Sequence, residues 1–480
     1  MGEAFPAPVA AALVFVASGA VLVLEILGIR LLAPYVGLTL ETTTAIIGTV
    51  LAGIAAGAAL GGRAADRFDP RRLLALLLTG GGALAVATVP MARGLGSAFE
   101  GEGDPAAVLI ALFALFPPAA VLSAVTPTVA RVQLRDLATT GAVVGRLSAW
   151  ATAGALLGTF ATGFVLVPLL ATDVAVLVVG AVLLALGAAV AVRGGGPRGL
   201  VVALVAGSVA VGAASVAAGA PCDAETTYHC ANVVTDPGRS SGRVLVLEEL
   251  RHSYVDLADP RHLEFDYVRW IGDAIDAAPA GPLDAVFLGG GGFTLPRYVT
   301  ATRPGSRSRV LEVDGDLVDL ARERLALRTG PALRVRVGDA RVTLRDEPDG
   351  SADVVVGDAF GGRSIPWHLA TTEFTRDVRR VLRPGGLYAL NVIDHAPLGL
   401  LRAEAATLLE VFDHVRLVTH AEPGGNFVFL ASSSPLAADV RSTARGARTL
   451  DRPAVEELAG DAAPMRDDDA PADQLLTPRA

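Results

Sequence analysis

Apolar residues follow two different patterns along this 480-residue chain. Over roughly the first 220 residues they run almost unbroken, near 9–33, 42–62, 72–92, 106–130, 147–170, 173–192 and 199–219. Each run reaches about 20 residues, enough for an α-helix to cross the hydrocarbon core of a bilayer. The pattern predicts an N-terminal multi-pass α-helical membrane domain of about seven helices over 1–220. No basic segment precedes the first run, which continues past Glu25 and Arg30, so it is not expected to be a cleaved leader.

Beyond 220 the runs shorten and alternate with polar residues. Residues 221–283 read as a small β-rich lead-in, including Arg243–Glu248, followed by a helix from about His262. Residues 284–434 then alternate strand and helix. Strands are predicted at Ala285–Leu288, Arg309–Val313, Leu333–Val337, Asp353–Val356, Leu387–Val392, His414–Val418 and Asn426–Ala431. Helices are predicted at Leu295–Thr300, Leu317–Leu327, Thr371–Val381 and Leu398–Val411. This is the pattern of an α/β domain with a Rossmann-type sheet. The short Gly-containing turn between the last two strands predicts an antiparallel closing hairpin, which favours a methyltransferase-like sheet. Residues 435–480, rich in Ala, Asp, Arg and Pro, read as a partly loose tail. Its segment MRDDDAPADQLL could fold back on the domain.

Charge refines the membrane half. The chain is 52% hydrophobic with net charge −9, and all 40 of its basic side chains are arginine. Arg63, Arg67, Arg71 and Arg72 flank the second connection between spans, Arg131, Arg135 and Arg146 the fourth, Arg193 and Arg198 the sixth. The third carries Glu100, Glu102 and Asp104. The positive-inside rule puts the arginine-rich connections in the cytoplasm, and an odd number of spans places residues 221–480 outside. Cys222 and Cys230 lie just past the last run, either as an oxidised pair or as two thiols. A nucleotide-type ligand argues for the inside, so the side stays open. Gly48, Gly53, Gly57, Gly61 and Gly62 suit close helix packing. Glu25 either pairs across helices or lines a path through them.

The chemistry concentrates after residue 284. Ala285–Leu288 runs into Gly289, Gly290, Gly291 and Gly292, and Glu312 comes at the end of the next strand. Glycine turn, helix and an acid about 20 residues on form a nucleotide-binding βαβ pattern, with an ordinary tight turn as the alternative. Glu312 could accept both ribose hydroxyls. Asp339 and Asp358 close the third and fourth strands, where a doubly wound sheet places ligands. Each is either a turn or cap residue or functional: Asp339 towards an adenine amino group, Asp358 as a general base or amine-binding carboxylate. The loop after Asp358 carries Trp367 and His368 and is long enough to act as a lid. No Cys/His cluster has metal-ligand spacing, no phosphate-loop lysine exists, and no basic patch suits nucleic acid.

These segments resemble the spermidine synthase family, the polyamine aminopropyltransferases. The resemblance rests on LEVDGDLVDLARERL, on VGDAR and on GDAFGGRSIPWHLATTEFTRDVRRVLRPGGLYALNV. With LEILGIRLLAPYVG and GIAAGAALGGRAADR, nearly the whole chain is similar to multi-pass, membrane-fused spermidine synthase-like proteins of the cell membrane. The resemblance implies an aminopropyl transfer from decarboxylated S-adenosylmethionine, as co-substrate, to a small amine such as putrescine, with no tightly bound cofactor. It implies Asp358 as catalytic residue, and Gly289, Gly290, Gly291, Glu312, Asp314, Asp339 and Ala340 around the nucleoside. It places Tyr267, Trp367 and His368 near the acceptor. The lipid bilayer is the implied partner, and homo-oligomerisation stays open.

Three positions depart from the family pattern. Gly292 and Gly361 stand where acids are usual, and Tyr267-Val268-Arg269 replaces a Tyr-His-Glu segment. Losing those groups weakens diamine binding unless others, such as His262, Glu264 or Asp266, substitute. Two further readings therefore remain: an S-adenosylmethionine-dependent methyltransferase on the same fold, and a membrane transporter with a nucleoside- or polyamine-sensing domain.

Overall fold

The computed structural model describes residues 5–37, 40–99, 104–134, 139–194, 196–362, 364–420, 424–436 and 446–476. The chain divides into two compact units, Met1–Cys230 and Ala231–Ala480.

The first unit is helical. Among the described residues, six helices are long and apolar enough to cross a membrane, including α1 (Ala7–Val36), α2 (Leu40–Arg67) and α3 (Pro70–Ala98). The run expected as one span over 106–130 is instead Pro105–Ala114 followed by Phe116–Gln133, bent by 43°. Pro117 and Pro118 lie just past the bend, where they deprive the helix of backbone donors. Counted as one, this pair brings the possible spans to seven. Asp69 caps α3, accepting from the amides of Arg71 and Arg72, with Pro70 at the first helical position. The glycines of α2 do what their spacing suggests. A Cβ on Gly57 would collide with the Ala120 carbonyl oxygen, and one on Gly61 with the Ala124 Cβ. Gly48, by contrast, has open space.

Arg30, near the end of α1, donates to the Thr227 and Thr226 carbonyls at 2.6 and 2.7 Å and pairs with Glu225 at 3.4 Å. Glu225 in turn accepts from the Thr172 amide. Cys222 and Cys230 form a disulfide that closes this segment. One carboxylate oxygen of Glu25 is buried with no hydrogen-bond partner among the described residues.

The second unit opens with an antiparallel meander of β1 (Cys230–Thr235), β2 (Gly242–Leu247) and β3 (Leu250–Asp256). A helix, Asp266–Asp276, begins four residues later than expected, leaving 262–265 non-helical. The main sheet has eight strands: β4 (Asp284–Leu288), β5 (Arg307–Glu312), β6 (Leu333–Val337), β7 (Ala352–Gly357), β8 (Leu382–Asp394), β9 (His414–His420), β10 (Gly425–Ser432) and β11 (Ala447–Leu450). Their spatial order is β11-β9-β10-β8-β7-β4-β5-β6. The pairs from β6 through to β8 are parallel, and β10 runs antiparallel between β8 and β9. That inserted antiparallel strand is the mark of a methyltransferase-like sheet.

Every residue of β4 is buried, as expected of a central strand covered by helices on both faces. β8 is longer than predicted because Pro384-Gly385-Gly386, which reads as a turn, is absorbed by a register shift against β7. Among its described residues, the tail is more ordered than its composition suggests. It supplies the edge strand β11 and a helix, Arg452–Ala459. It also supplies Met465, which is buried and whose amide donates to Thr407 Oγ1.

Candidate active site

The carboxyl ends of the parallel strands converge on one edge of the sheet. Gly289 donates to the Leu311 carbonyl, and Asp358 donates its amide to the Leu288 carbonyl at 3.0 Å, so β4, β5 and β7 end together. Gly289 and Gly291 have φ of +91° and +48°, which glycine tolerates and most residues do not. A Cβ on Gly289 would meet the Asp358 carbonyl oxygen at 2.5 Å. The loop therefore passes directly over the end of β7.

Glu312 anchors this loop. Its Oε2 accepts from the Gly290 amide at 2.6 Å, and its Oε1 from the Asp314 amide at 2.9 Å. It is 6% exposed, and burial pushes its carboxyl above the ordinary value against the pull of these amides. Asp314 caps the helix Gly315–Arg324, accepting from the amides of Asp316 and Leu317. Asp339 likewise accepts from the Arg341 amide at 2.7 Å, and its other oxygen lies 3.2 Å from His368 Nε2. Ala340, next to it, is buried.

Asp358 sits between two side chains brought from distant segments. Asn391 on β8 donates to Oδ1 at 2.8 Å, and the Tyr267 hydroxyl approaches Oδ2 at 3.4 Å. Asn426 on β10 donates to Asn391 Oδ1 at 3.0 Å and fixes that amide's orientation. Burial raises the Asp358 carboxyl to about 6, with the two hydrogen bonds pulling down. The Tyr267 hydroxyl is pushed well above its ordinary value by burial and by Asp358.

Asp358 lines two spaces at once. One is a narrow cleft under the glycine loop, bordered by Gly289, Gly290, Ser253, Phe287 and Glu264. The other is a cavity of about 660 Å³, lined among others by Trp270, Phe360, Asn391, His395, His420 and Asp266. Glu264, Phe265, Tyr267 and Asp358 belong to both.

Gly289, Gly290, Glu312, Tyr267 and Asp358 are thus brought together. Trp367 and His368 are not. Trp367 is 50% exposed on a short turn, His368 faces Asp339, and neither lines the two spaces. The turn's own backbone bonds, from Leu369 to Pro366 and from Ala370 to Trp367, hold it in place. Phe360 and Gly362, from the same loop, reach the cavity instead. Asn391 and Asn426 are site residues that the sequence does not single out. Their signal is a lone amide beside apolar strand residues, in ALNVI and in NFVFLA.

The structure also accounts for one departure from the family pattern. Ser253 and Val255 of β3 lie over Gly292: a Cβ there would come within 2.9 Å of both side chains, and the Gly292 amide donates to Ser253 Oγ. No side chain fits at this position without moving β3.

Strand order and the carboxylate-centred edge define an α/β unit of the methyltransferase-like class. Several known proteins are similar to parts of this chain. A polyamine aminopropyltransferase of Vibrio vulnificus (strain CMCP6) is 28% identical over 185 residues, covering 38% of this chain and 60% of the relative. A protein of Bifidobacterium longum (strain NCC 2705), described as a probable polyamine aminopropyl transferase, is 31% identical over 157 residues, covering 32% of this chain and 34% of its own. The matched stretches therefore span under two thirds of either curated relative. A solved structure of a probable spermidine synthase from Corynebacterium glutamicum ATCC 13032 aligns with TM-score 0.47 and 29% identity, over 51% of this chain and 95% of its own. No family model matches the chain.

Proposed function

We propose that this protein is a multi-pass membrane aminopropyltransferase of the spermidine synthase type, acting on decarboxylated S-adenosylmethionine and an amine such as putrescine. The observation that carries the reading is Asp358, a buried carboxylate with its carboxyl raised to about 6, placed where the glycine-loop cleft meets the large cavity. A base tuned near neutrality suits an amine that must lose a proton as it attacks.

The donor nucleoside occupies the glycine edge, with Glu312 accepting from its ribose and Asp339 and Ala340 on its adenine side. The acceptor amine lies in the cavity. Its nitrogen attacks the methylene beside the sulfonium, the carbon–sulfur bond breaks, and the electron pair leaves on sulfur as methylthioadenosine. The proton displaced from the amine passes to the Asp358 carboxylate. The sulfonium is already an excellent leaving group, so alignment supplies most of the acceleration. Asn391 holds the carboxylate for this in-line approach, and Tyr267 donates to its second oxygen. The apolar helices of the first unit support the bilayer setting.

The test is direct. Purified protein is given putrescine with either decarboxylated or intact S-adenosylmethionine. Methylthioadenosine from the first donor is the expected product. S-adenosylhomocysteine from the second would replace the proposal with a methyltransferase, and nucleoside binding without product would point to a sensing role.

A further inference from the structure

We infer, resting on that reading for the identity of the ligand, that the helical unit carries an amine through the bilayer and that Glu25 receives its ammonium. Glu25 lies on α1, about 27 Å along the axis from Ala7 and about 17 Å from Val36, inside the stretch that would cross the hydrocarbon core. One of its carboxylate oxygens is buried without a hydrogen-bond partner, and among the described residues it has no ion pair. Arg30, the next arginine along α1, is committed elsewhere: it donates to the Thr226 and Thr227 carbonyls and pairs with Glu225. Arg93 is likewise held, by Asp173 and by the Ser215 carbonyl. An unpaired carboxylate at this depth is costly, and its presence points to a cation that completes it.

The helices beside Glu25 are irregular at its level. One turn along the same face of α1, a Cβ on Gly28 would meet Leu115 at 2.7 Å, and Leu115 is the non-helical residue at the 43° bend. Pro117 and Pro118 cannot donate to the carbonyls of Phe113 and Ala114, and the Ala114 carbonyl accepts instead from Thr88 Oγ1 at 3.0 Å. Beside α1 also runs the helix Thr140–Ala161, whose Gly154 and Gly158 approach Phe15 and Gly19. The register advances equally on both helices, so they run parallel, and the stretch level with Glu25 is the π-helical turn Thr162–Leu166. Broken and π-helical segments free main-chain carbonyls, and in a membrane they mark ligand paths rather than plain packing. An ammonium has three donors to satisfy: Glu25 takes one and cancels the charge, and freed carbonyls suit the others. A proton alone would need the carboxylate but not the carbonyls. For a metal ion, no group of three ligating side chains occurs among the described residues.

The experiment uses the full-length protein reconstituted in phosphatidylcholine vesicles, with radiolabelled putrescine outside and no sulfonium donor present. Entry should be faster than into protein-free vesicles. Glu25→Gln, isosteric and uncharged, should lower it by about tenfold, the worth of one charge-assisted contact. Glu25→Asp keeps the charge and should retain most of the entry. Thermal unfolding and methylthioadenosine formation should be unchanged in Glu25→Gln, which separates a ligand contact from a packing role. On the wild type alone, dicyclohexylcarbodiimide, which attacks carboxyls shielded from water, should modify Glu25 as mapped by mass spectrometry, and putrescine should slow that modification. Entry no faster than into protein-free vesicles, entry undiminished in Glu25→Gln, or modification that putrescine does not slow overturns the inference. The proposed reaction is scored apart. Glu25-dependent entry without methylthioadenosine formation refutes the reaction and leaves the transport assignment standing; methylthioadenosine formation without Glu25-dependent entry does the reverse.

Discussion

Replacing Asp358 by asparagine should make the protein more stable and inactive at once. The buried carboxyl is raised from its ordinary 3.8 to about 6, so keeping it ionised costs the folded state about 3 kcal/mol at neutral pH. The sign follows from the direction of the shift. A raised carboxyl favours the protonated form in the fold, so the stabilising contribution is fully present below about pH 4 and is lost as pH rises through about 6. Asparagine removes the charge and can still accept from Asn391. The Asp358→Asn variant should therefore gain up to about 3 kcal/mol over the wild type at pH 7.5, and only about 0.5 kcal/mol at pH 4. Thermal unfolding of the full-length protein in a mild detergent, run at both pH values, reads the difference. Nucleoside binding should persist and turnover should vanish. A variant no more stable than the wild type at pH 7.5, or one with the same gain at pH 4, would refute the reasoning, because the carboxylate would then not be carrying a desolvation cost.

Other consequences are open to test. Wild-type kcat/KM should rise with pH through about 6 as Asp358 ionises, and Tyr267→Phe, which removes a donor to that carboxylate, should move the rise to higher pH; an unmoved profile would show that Tyr267 does not act on the base. Glu312→Gln should lower methylthioadenosine affinity by about tenfold or more in calorimetry, since one oxygen becomes a donor facing the Gly290 amide or the ribose; unchanged affinity would remove Glu312 from the nucleoside site. Gly292→Asp, which restores the family's acid, should cost about 1–3 kcal/mol by crowding Ser253 and Val255, and should not raise activity; a more active variant would contradict the packing described above. With seven spans and cytoplasmic arginine-rich connections, a C-terminal reporter should sit on the non-cytoplasmic side, and Cys222 and Cys230 should resist alkylation until reduced; a cytoplasmic signal would mean the bent pair does not cross.

Much of the α/β unit was readable because its strands are short, apolar and bounded by glycine and proline, as in Asp284–Leu288 before Gly289. The convergence of Gly289, Glu312 and Asp358 followed from their places at strand ends. The features hidden in the sequence depend on contacts between distant segments. Gly292 reads as a lost acid, yet its cause is Ser253, 39 residues earlier on a meander strand. Asp314 and Asp339 read as ligand-binding acids by resemblance, and in the structure their side chains cap helices; a cap and a ligand contact look alike in sequence. Trp367 and His368 occupy the expected loop, but which residues of a loop turn inward is set by its backbone hydrogen bonds. Here Phe360 takes that place. In the helical unit, apolar length identified the segments and could not register the 43° bend after Ala114.

The amides that steady Asp358 also determine where a proton can go. Asn391 and Asn426 line the same cavity as the carboxylate, but a side-chain amide neither takes up nor releases a proton in the physiological range. The Tyr267 hydroxyl, held far above its ordinary value, is no better as a carrier. Asp358 thus ends a proton wire rather than standing in the middle of one. In the proposed reaction, a proton that Asp358 takes from an amine departs into the spaces this carboxylate lines, the wide cavity above all, which ties resetting of the base to the emptying and rehydration of that cavity.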